Sequence, residues 1–455
     1  MYDLIIIGGG PAGYDAGERA GEAGLKTLLI EKRALGGVCL NEGCIPSKAF
    51  LNSAKIFEHA KDGSAFGVTA ENARLDQKAV VSRKNKIVKT LVSGVRSKMK
   101  AHKVEVVMAE AVLEGRDAEG FSVKAGGQSY KAKNLLITSG SEPLVPPIPG
   151  VREGVEAGYV LTNREILDLE TIPAKLVIVG GGVIGLEMAS YFRTAGSDVT
   201  VIEMLDHIAG PTDREIAALL QKNYAKKGIK FYLNSKVTGV EKGRVLYEDE
   251  KGQPQTAEAD YTLLSIGRRA VSKGLGLESL GVYTDRGRIV IDECGRTNIP
   301  GIYAAGDVTG GIMLAHVAYR EAEVAVNSIL GKKDRIRYHA IPSVIYTNPE
   351  VAAVGETEES AKAKGLNIKT VTLPMAYSGR YLAETEKGDG ICKLIVDADH
   401  GNLIGCHMLG VYVSEVIMTA VTLIETEMTV DDMKELVFPH PTVGEIIREA
   451  LHMLK

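Results

Sequence analysis

Two stretches decide the fold: YDLIIIGGGPAGYDAGERAGEAGLKTLLIEK (Tyr2–Lys32) and AKLVIVGGGVIGLEMASYFRTAGSDVTVIE (Ala174–Glu203). Each opens on an apolar run, turns through Gly-x-Gly-x-x-Gly, continues with helical periodicity, and ends on a second apolar run closed by an acid. The first carries Gly8, Gly10, Gly13, Gly17, Gly24 and Glu31; the second carries Gly180, Gly182, Gly185, Ala189, Gly196 and Glu203 at the same intervals. One such loop alone is weak evidence, but two copies in register predict two Rossmann-like dinucleotide-binding units.

The physical demands explain the pattern. The first glycine permits the tight turn, the second admits a pyrophosphate to the backbone, and the third lets helix and strand pack closely. The helix N-terminus then faces the phosphates. Glu31 and Glu203 are placed to accept hydrogen bonds from adenosine-ribose hydroxyls. In VIEMLD (Val201–Asp206) no Arg immediately follows Glu203, which favours NAD over NADP at the second site.

The rest of the composition is ordinary. At ~150 residues per domain, the 455-residue chain predicts about three or four domains. It is 45% hydrophobic and 25% charged, enough for a large core. A formal charge of −4, with no basic stripe, argues against nucleic acid. The first apolar run reads as a buried strand with no basic flank, and no run nears the ~18 residues of a spanning helix. No membrane association and a cytoplasmic location are therefore expected.

Further along, Leu75–Lys100 reads as a charged helix with a solvated face. YKAKNLLITSGSEPLVPPIPG (Tyr130–Gly150) runs from a strand into a proline-rich crossing, and AEADYTLLSIGRRA (Ala257–Ala270) suggests a second crossing. The expected parts are 1–142, 143–265, 266–334 and 335–455. In GRIVIDECGRTNIPGIYAAGDVTGG (Gly287–Gly311), a strand is expected to end at Asp307, whose carboxylate suits a polyol chain. The part from Arg335 alternates short strands and helices without a glycine loop and reads as a separate α+β domain.

Two sites hold residues suited to chemistry. GGVCLNEGCIPSK (Gly36–Lys48) sets Cys39 and Cys44 five apart in a chain with five cysteines, before a helical stretch whose start lies near Cys44. A helix N-terminus favours a thiolate. A metal clip lacks further ligands at short spacing, so no metal is expected, and a static staple across so short a loop constrains little. Two dinucleotide units are most simply one bound flavin and one exchangeable NAD, and a flavin gives a nearby cysteine pair a redox use. Cys294, Cys392 and Cys406 are read as small buried hydrophobes. In LVFPHPTVGEIIREA (Leu436–Ala450), His440 lies between prolines and five residues before Glu445, an acid able to orient the ring.

With these motifs in place, the chain resembles the flavin disulfide reductases over essentially its whole length. The resemblance is carried by GGGPAG, GGVCLNEGCIPSK, GGGVIGLE, IYAAGDV, LAHVAYREA and HPTVGE. It implies an α/β protein with an FAD domain, an NAD domain, a central domain completing the FAD site, and a C-terminal dimerisation domain. It implies a redox-active Cys39–Cys44 disulfide, with Cys39 facing substrate and Cys44 facing the flavin. Lys48 matches a lysine beside the flavin, paired with the glutamate matching Glu187. Asp307, Ala315 and Ala111 match FAD contacts; Ile184, Val237 and Gly267 match the NAD site. His440 and Glu445 match an acid–base dyad that completes the other subunit's site in a homodimer.

The implied reaction is oxidation of protein-bound dihydrolipoamide with reduction of NAD⁺. A lipoyl-bearing carrier or acyltransferase of a 2-oxoacid dehydrogenase or glycine cleavage complex is the implied partner. A related NAD(P)H-dependent reductase of another small disulfide is the alternative. The chain departs from the family pattern at Val38, Glu42, Phe438–Pro439 and Ala270. Glu42 is expected to point away from the sulfurs, because a carboxylate beside a thiol disfavours the thiolate.

Overall fold

In the computed structural model, residues 1–385 and 389–454 are described; residues 386–388 and Lys455, within the expected 335–455 part, lie outside them. The chain forms two compact units, and each is built from several stretches of sequence. One comprises Met1–Ala49, Ala79–Leu144 and Gly267–Arg337; the other comprises Phe50–Lys78, Val145–Ile266 and Tyr338–Lys455. The chain crosses between them at 49/50, 78/79, 144/145, 266/267 and 337/338.

The first unit is organised by one seven-stranded sheet. Its spatial order runs Glu105–Met108, Thr27–Glu31, Tyr2–Ile7, Gln128–Ile137, Phe121–Ala125, Ala111–Arg116, with Ile302–Ala304 beside Gln128–Ile137. The strand Tyr2–Ile7 pairs parallel on both edges, with Ile5 opposite Leu28 and Leu135. A parallel strand covered on both faces needs an unbroken apolar run, and Leu4, Ile5, Ile6 and Ile7 are all buried. The helix Pro11–Glu22 begins with Pro11 just inside its N-terminus, where the missing amide hydrogen costs nothing. It packs against the helix Ala315–Ile329, and the Tyr14 and Tyr319 hydroxyls meet at 2.5 Å.

The second unit repeats the motif and adds to it. Five parallel strands lie in the order Lys230–Tyr232, Asp198–Ile202, Lys175–Val179, Tyr261–Leu264, Val160–Leu161. A three-stranded antiparallel sheet spans Lys236–Ala259. A five-stranded antiparallel sheet follows, in the order Ser343–Ile345, Glu350–Gly355, Leu403–Gly410, Ile391–Asp397, Ile368–Pro374. The helices Val413–Glu425 and Glu445–Met453 bury Ile417, Leu423, Ile446 and Leu451 in the core beside it. The α/β class and the α+β C-terminal part are those expected from the sequence. Among the described residues, no helix is long and apolar enough to cross a membrane.

Candidate active site

The first glycine loop shows which glycines the protein itself requires. Gly8 sits at φ +112°, and a Cβ there would lie 2.3 Å from the Thr138 carbonyl oxygen. A Cβ on Gly13 would lie 1.8 Å from the Gly8 carbonyl oxygen. Both are closed by backbone. Gly10 differs, since a Cβ there would meet only Gly37 Cα, at 3.7 Å. The second loop repeats this. A Cβ on Gly180 would lie 2.4 Å from the Ser265 carbonyl oxygen and one on Gly185 2.6 Å from the Gly180 carbonyl oxygen, but one on Gly182 would approach Ser265 no nearer than 3.6 Å. The middle glycine of each loop therefore guards a cradle that a Cβ would fill, at a helix N-terminus. That is the space a dinucleotide pyrophosphate requires, so both loops fit their expected groups.

The two acids are held alike. Glu31 Oε2 accepts the Gly9 amide at 2.7 Å, and its Oε1 accepts the Arg33 amide at 2.7 Å. Glu203 Oε2 accepts the Gly181 amide at 2.6 Å, and its Oε1 accepts the Leu205 amide at 2.8 Å. Backbone amides thus hold both carboxylates beside their glycine loops.

Cys39 and Cys44 are joined as a disulfide. Cys39 lies in the short helix Gly37–Glu42, and Cys44 is the first residue of the helix Cys44–Asp62. Gly37 makes the approach possible: a Cβ there would lie 2.6 Å from Gly10 Cα, so the cysteine helix packs directly on the first glycine loop. Asn41 Nδ2 donates to the Leu35 and Gly37 carbonyls at 3.0 and 2.8 Å, tying the helix to the loop before it. Lys48 lies one turn beyond Cys44, with its Nζ 3.3 Å from Ser47 Oγ. The Glu42 carboxylate is engaged by the Arg33 guanidinium.

The strand expected to end at Asp307 ends at Ala304. A parallel strand pairs only while its neighbour runs beside it, and Ala304 faces Ile137, where the neighbour also ends. Asp307 opens a single 3₁₀ turn. Its carboxylate accepts the Ser141 hydroxyl, which in turn accepts Arg268 Nε at 2.7 Å. On the other side of the turn, the buried Glu321 Oε2 accepts the Gly306 amide at 2.6 Å. Ser141, Arg268 and Glu321 went unnoticed in the sequence; the only signal was that GRR and LAHVAYREA flank the Asp307 segment. Ala315 is the first residue of its helix, and Ala111 is buried at the start of the strand Ala111–Arg116, opposite Ala125.

In the second unit, Ile184 lies in the first turn of the helix Val183–Ala195, and Val237 is buried opposite Tyr247. The buried Glu187 accepts the Tyr346 amide at 3.0 Å. Gly267 falls in the first unit, at φ +108°, where its carbonyl accepts the Leu144 amide at 3.1 Å. His440 Nδ1 lies 2.8 Å from Glu445 Oε1, while Glu445 Oε2 accepts the Thr442 amide at 2.8 Å. The Thr442 amide first, and the His440 ring after it, hold the Glu445 carboxyl below the usual carboxylate range. An ionised acid at Nδ1 selects the tautomer with Nε2 as the free acceptor. The ring is 77% exposed on its own chain and so faces outward.

One cysteine reading is corrected. Cys392 and Cys406 are buried, as expected, but Cys294 is only half-buried, and its thiol lies 3.4 Å from the Asp334 carbonyl oxygen. It sits in a turn that Asp292 organises by accepting the Cys294 and Arg296 amides, outside the apolar core.

Comparison with known proteins agrees with this geometry. Residues 2–322 match the pyridine nucleotide-disulphide oxidoreductase family, and residues 341–451 match that family's dimerisation domain. A dihydrolipoyl dehydrogenase from Rhizobium etli is 39% identical, covering 99% of this chain and 97% of that protein. One from Bacillus subtilis is 38% identical over 98% and 95%. Among solved structures, LpdA from Mycobacterium tuberculosis superposes with a TM-score of 0.90 at 27% identity, covering 99% of both chains. The HOCl-induced flavoprotein disulfide reductase RclA from Escherichia coli does so at 0.87 and 27%, covering 100% of both. The chain belongs to the pyridine nucleotide-disulphide oxidoreductase family and is an oxidoreductase.

Proposed function

We propose that the chain oxidises protein-bound dihydrolipoamide to lipoamide and reduces NAD⁺, using the Cys39–Cys44 disulfide as the immediate electron acceptor. The carrying observation is that disulfide, formed at the start of a helix that follows the first glycine loop. Residues 1–142 and 266–334 are assigned to FAD, 143–265 to NAD, and 335–455 to dimer formation.

FAD would be held by the loop Gly8–Gly13, Glu31, Ala111, Asp307 and Ala315, with Lys48 and Glu187 in the flavin's surroundings. Bound FAD supplies a two-electron relay between the dithiol and NAD⁺. NAD⁺, as substrate, is assigned to Gly180, Gly182, Ile184, Gly185, Glu203, Val237 and Gly267.

The residues divide the thiol chemistry among themselves. His440 Nε2 removes a proton from one dihydrolipoamide thiol, and Glu445 keeps the ring oriented and stabilises its positive charge. The resulting thiolate attacks Cys39 Sγ, and Cys44 leaves as a thiolate at the helix N-terminus. The second lipoyl thiol loses its proton to solvent and attacks the lipoyl sulfur of the mixed disulfide, so that its bond to Cys39 Sγ breaks and Cys39 leaves as a thiolate. Oxidised lipoamide departs, leaving the electron pair on the two cysteine sulfurs. We assign His440 and Glu445 to the partner subunit's site in a homodimer, the lipoyl group to a separate carrier or acyltransferase protein, and the enzyme to the cytoplasm.

The test is anaerobic titration of the FAD-loaded protein with dihydrolipoamide, followed by NAD⁺. One NADH for each dihydrolipoamide oxidised, that is for every two thiols consumed, is expected. No NADH, with NADPH-driven reduction of another disulfide, overturns the reading. Cys39→Ser should abolish turnover with FAD retained, and His440→Gln should lower it by ~10²-fold.

A further inference from the structure

We infer that Arg33 is a positioning residue that sets the redox poise of the Cys39–Cys44 pair by neutralising Glu42. The inference rests on the proposed redox role of that disulfide.

Glu42 occupies a costly position. It is the last residue of the helix Gly37–Glu42, where the helix dipole disfavours a negative side chain. It lies three residues after Cys39, which puts both on one face of that helix, and two residues before Cys44. Reduction of the disulfide creates a thiolate, and a carboxylate one helical turn away disfavours that charge. Unneutralised, Glu42 would therefore hold the pair oxidised and raise the pH at which a thiolate forms.

Arg33 counters this charge. Its guanidinium pairs with Glu42 Oε1, and side-chain exposures of 49% for Arg33 and 17% for Glu42 put the carboxylate on the sheltered side of the contact. Both ends stand on fixed backbone. The Arg33 amide donates to Glu31 Oε1 at 2.7 Å, the Gly36 amide donates to the Gly9 carbonyl at 2.7 Å, and Asn41 pins the cysteine helix to the same loop. Less side-chain and loop entropy is then lost in forming the pair. The first dinucleotide acid thus has a second role, because by fixing Arg33 it links its glycine loop to the charge balance at the disulfide.

The measured step is exchange with a cyclising dithiol such as dithiothreitol. The Cys39–Cys44 bond breaks, the dithiol closes to its cyclic disulfide, and the electron pair passes to the enzyme. Of the dithiol's two protons, one stays on a cysteine sulfur and one goes to solvent. The FAD-loaded dimer is equilibrated over a series of oxidised-to-reduced dithiothreitol ratios. The dithiol is then trapped with iodoacetamide, and the trapped fraction is followed against pH.

Arg33→Gln should lower the equilibrium constant for reduction about threefold, the scale of a partly exposed charge pair, and raise the pH midpoint of alkylation. Glu42→Gln, which leaves Arg33 unopposed, should shift both readouts the opposite way. The double variant Arg33→Gln/Glu42→Gln should return close to the parent, and Arg33→Lys should keep most of the parent's poise. If Arg33→Gln and Glu42→Gln move neither readout, or move them in the same direction, the inference is overturned. Should Arg33→Gln fail to fold, the Glu42→Gln shift alone decides. Because dithiothreitol replaces the lipoyl substrate, a protein that ignores dihydrolipoamide defeats the proposed function and leaves this test intact.

Discussion

The two glycine-loop units share one frame and diverge where that frame ends. In the first, the chain leaves Glu31 and returns through Gly36, whose amide donates to the Gly9 carbonyl at 2.7 Å. In the second, it leaves Glu203 and returns through Ala209, whose amide donates to the Gly181 carbonyl at 2.8 Å. Both return residues have positive φ, +92° and +65°. Past that point the first unit places Gly37 on Gly10 and enters the cysteine helix. The second places Asp213 as N-cap of the helix Arg214–Lys226, accepting the Glu215 and Ile216 amides. A common scaffold therefore suits nucleotides in both places, and the segment after the return decides which unit carries redox groups.

Breaking the frame should cost most. Gly13→Ala and Gly185→Ala each drive a Cβ into backbone, and each should destabilise its own unit by roughly 3 kcal/mol, read as a lower denaturant midpoint. The middle glycines should separate the two units by function instead. Gly10→Ala should fold but purify with little FAD, whereas Gly182→Ala should keep its FAD and show KM for NAD⁺ raised roughly tenfold with kcat little changed. If either also loses the other cofactor, the two cradles are not independent.

An effect of similar size is expected at the second acid. Glu203→Gln keeps the side chain's shape but replaces a charged acceptor with a neutral one. It should weaken NAD⁺ binding by roughly tenfold and narrow its preference over NADP⁺, checked by kcat/KM for the two nucleotides.

The smallest test concerns how the second unit braces its helix cap. Asp213 is fully buried and pairs at 3.0 Å with the buried Lys393, which also lies 2.9 Å from Glu358 and 3.3 Å from Glu215. His407, directly across the strand pair from Lys393, is buried, with Nε2 at the Glu356 carbonyl. Burial pushes the His407 imidazole below its ordinary range. The unfolded chain then binds this proton more readily than the folded one. Its contribution to stability is complete above ~6.5 and is lost as pH falls below that value. His407→Gln should flatten stability against pH over that interval, measured by urea midpoints; an unchanged slope would exclude His407 as its source.

The features legible in the sequence were local. The glycine loops, the acids closing them, the cysteine pair, and the His440–Glu445 spacing each answer a backbone or hydrogen-bond requirement met within about thirty residues. The contacts that were not legible join distant segments. Arg268 reaches Ser141 across 127 positions, and Ser141 reaches Asp307 across 166. Neither pairing has a periodicity or spacing to betray it. The partner of Glu42 was missed for a different reason. Arg33 lies only nine positions away, but nothing local distinguishes it from the other solvated cations of the chain.

The sequence alone determined that two dinucleotide loops exist, because a turn that admits only glycine and a strand buried on both faces leave few residue choices. It also determined that two cysteines come after the first loop. Only the tertiary structure decided which glycines are closed by protein and which open onto a cradle. It alone also decided that Arg33 neutralises Glu42 and that Asp307 is braced by Ser141. Those outcomes depend on where separate strands and loops end in space, which sheet closure sets and neighbouring residues do not.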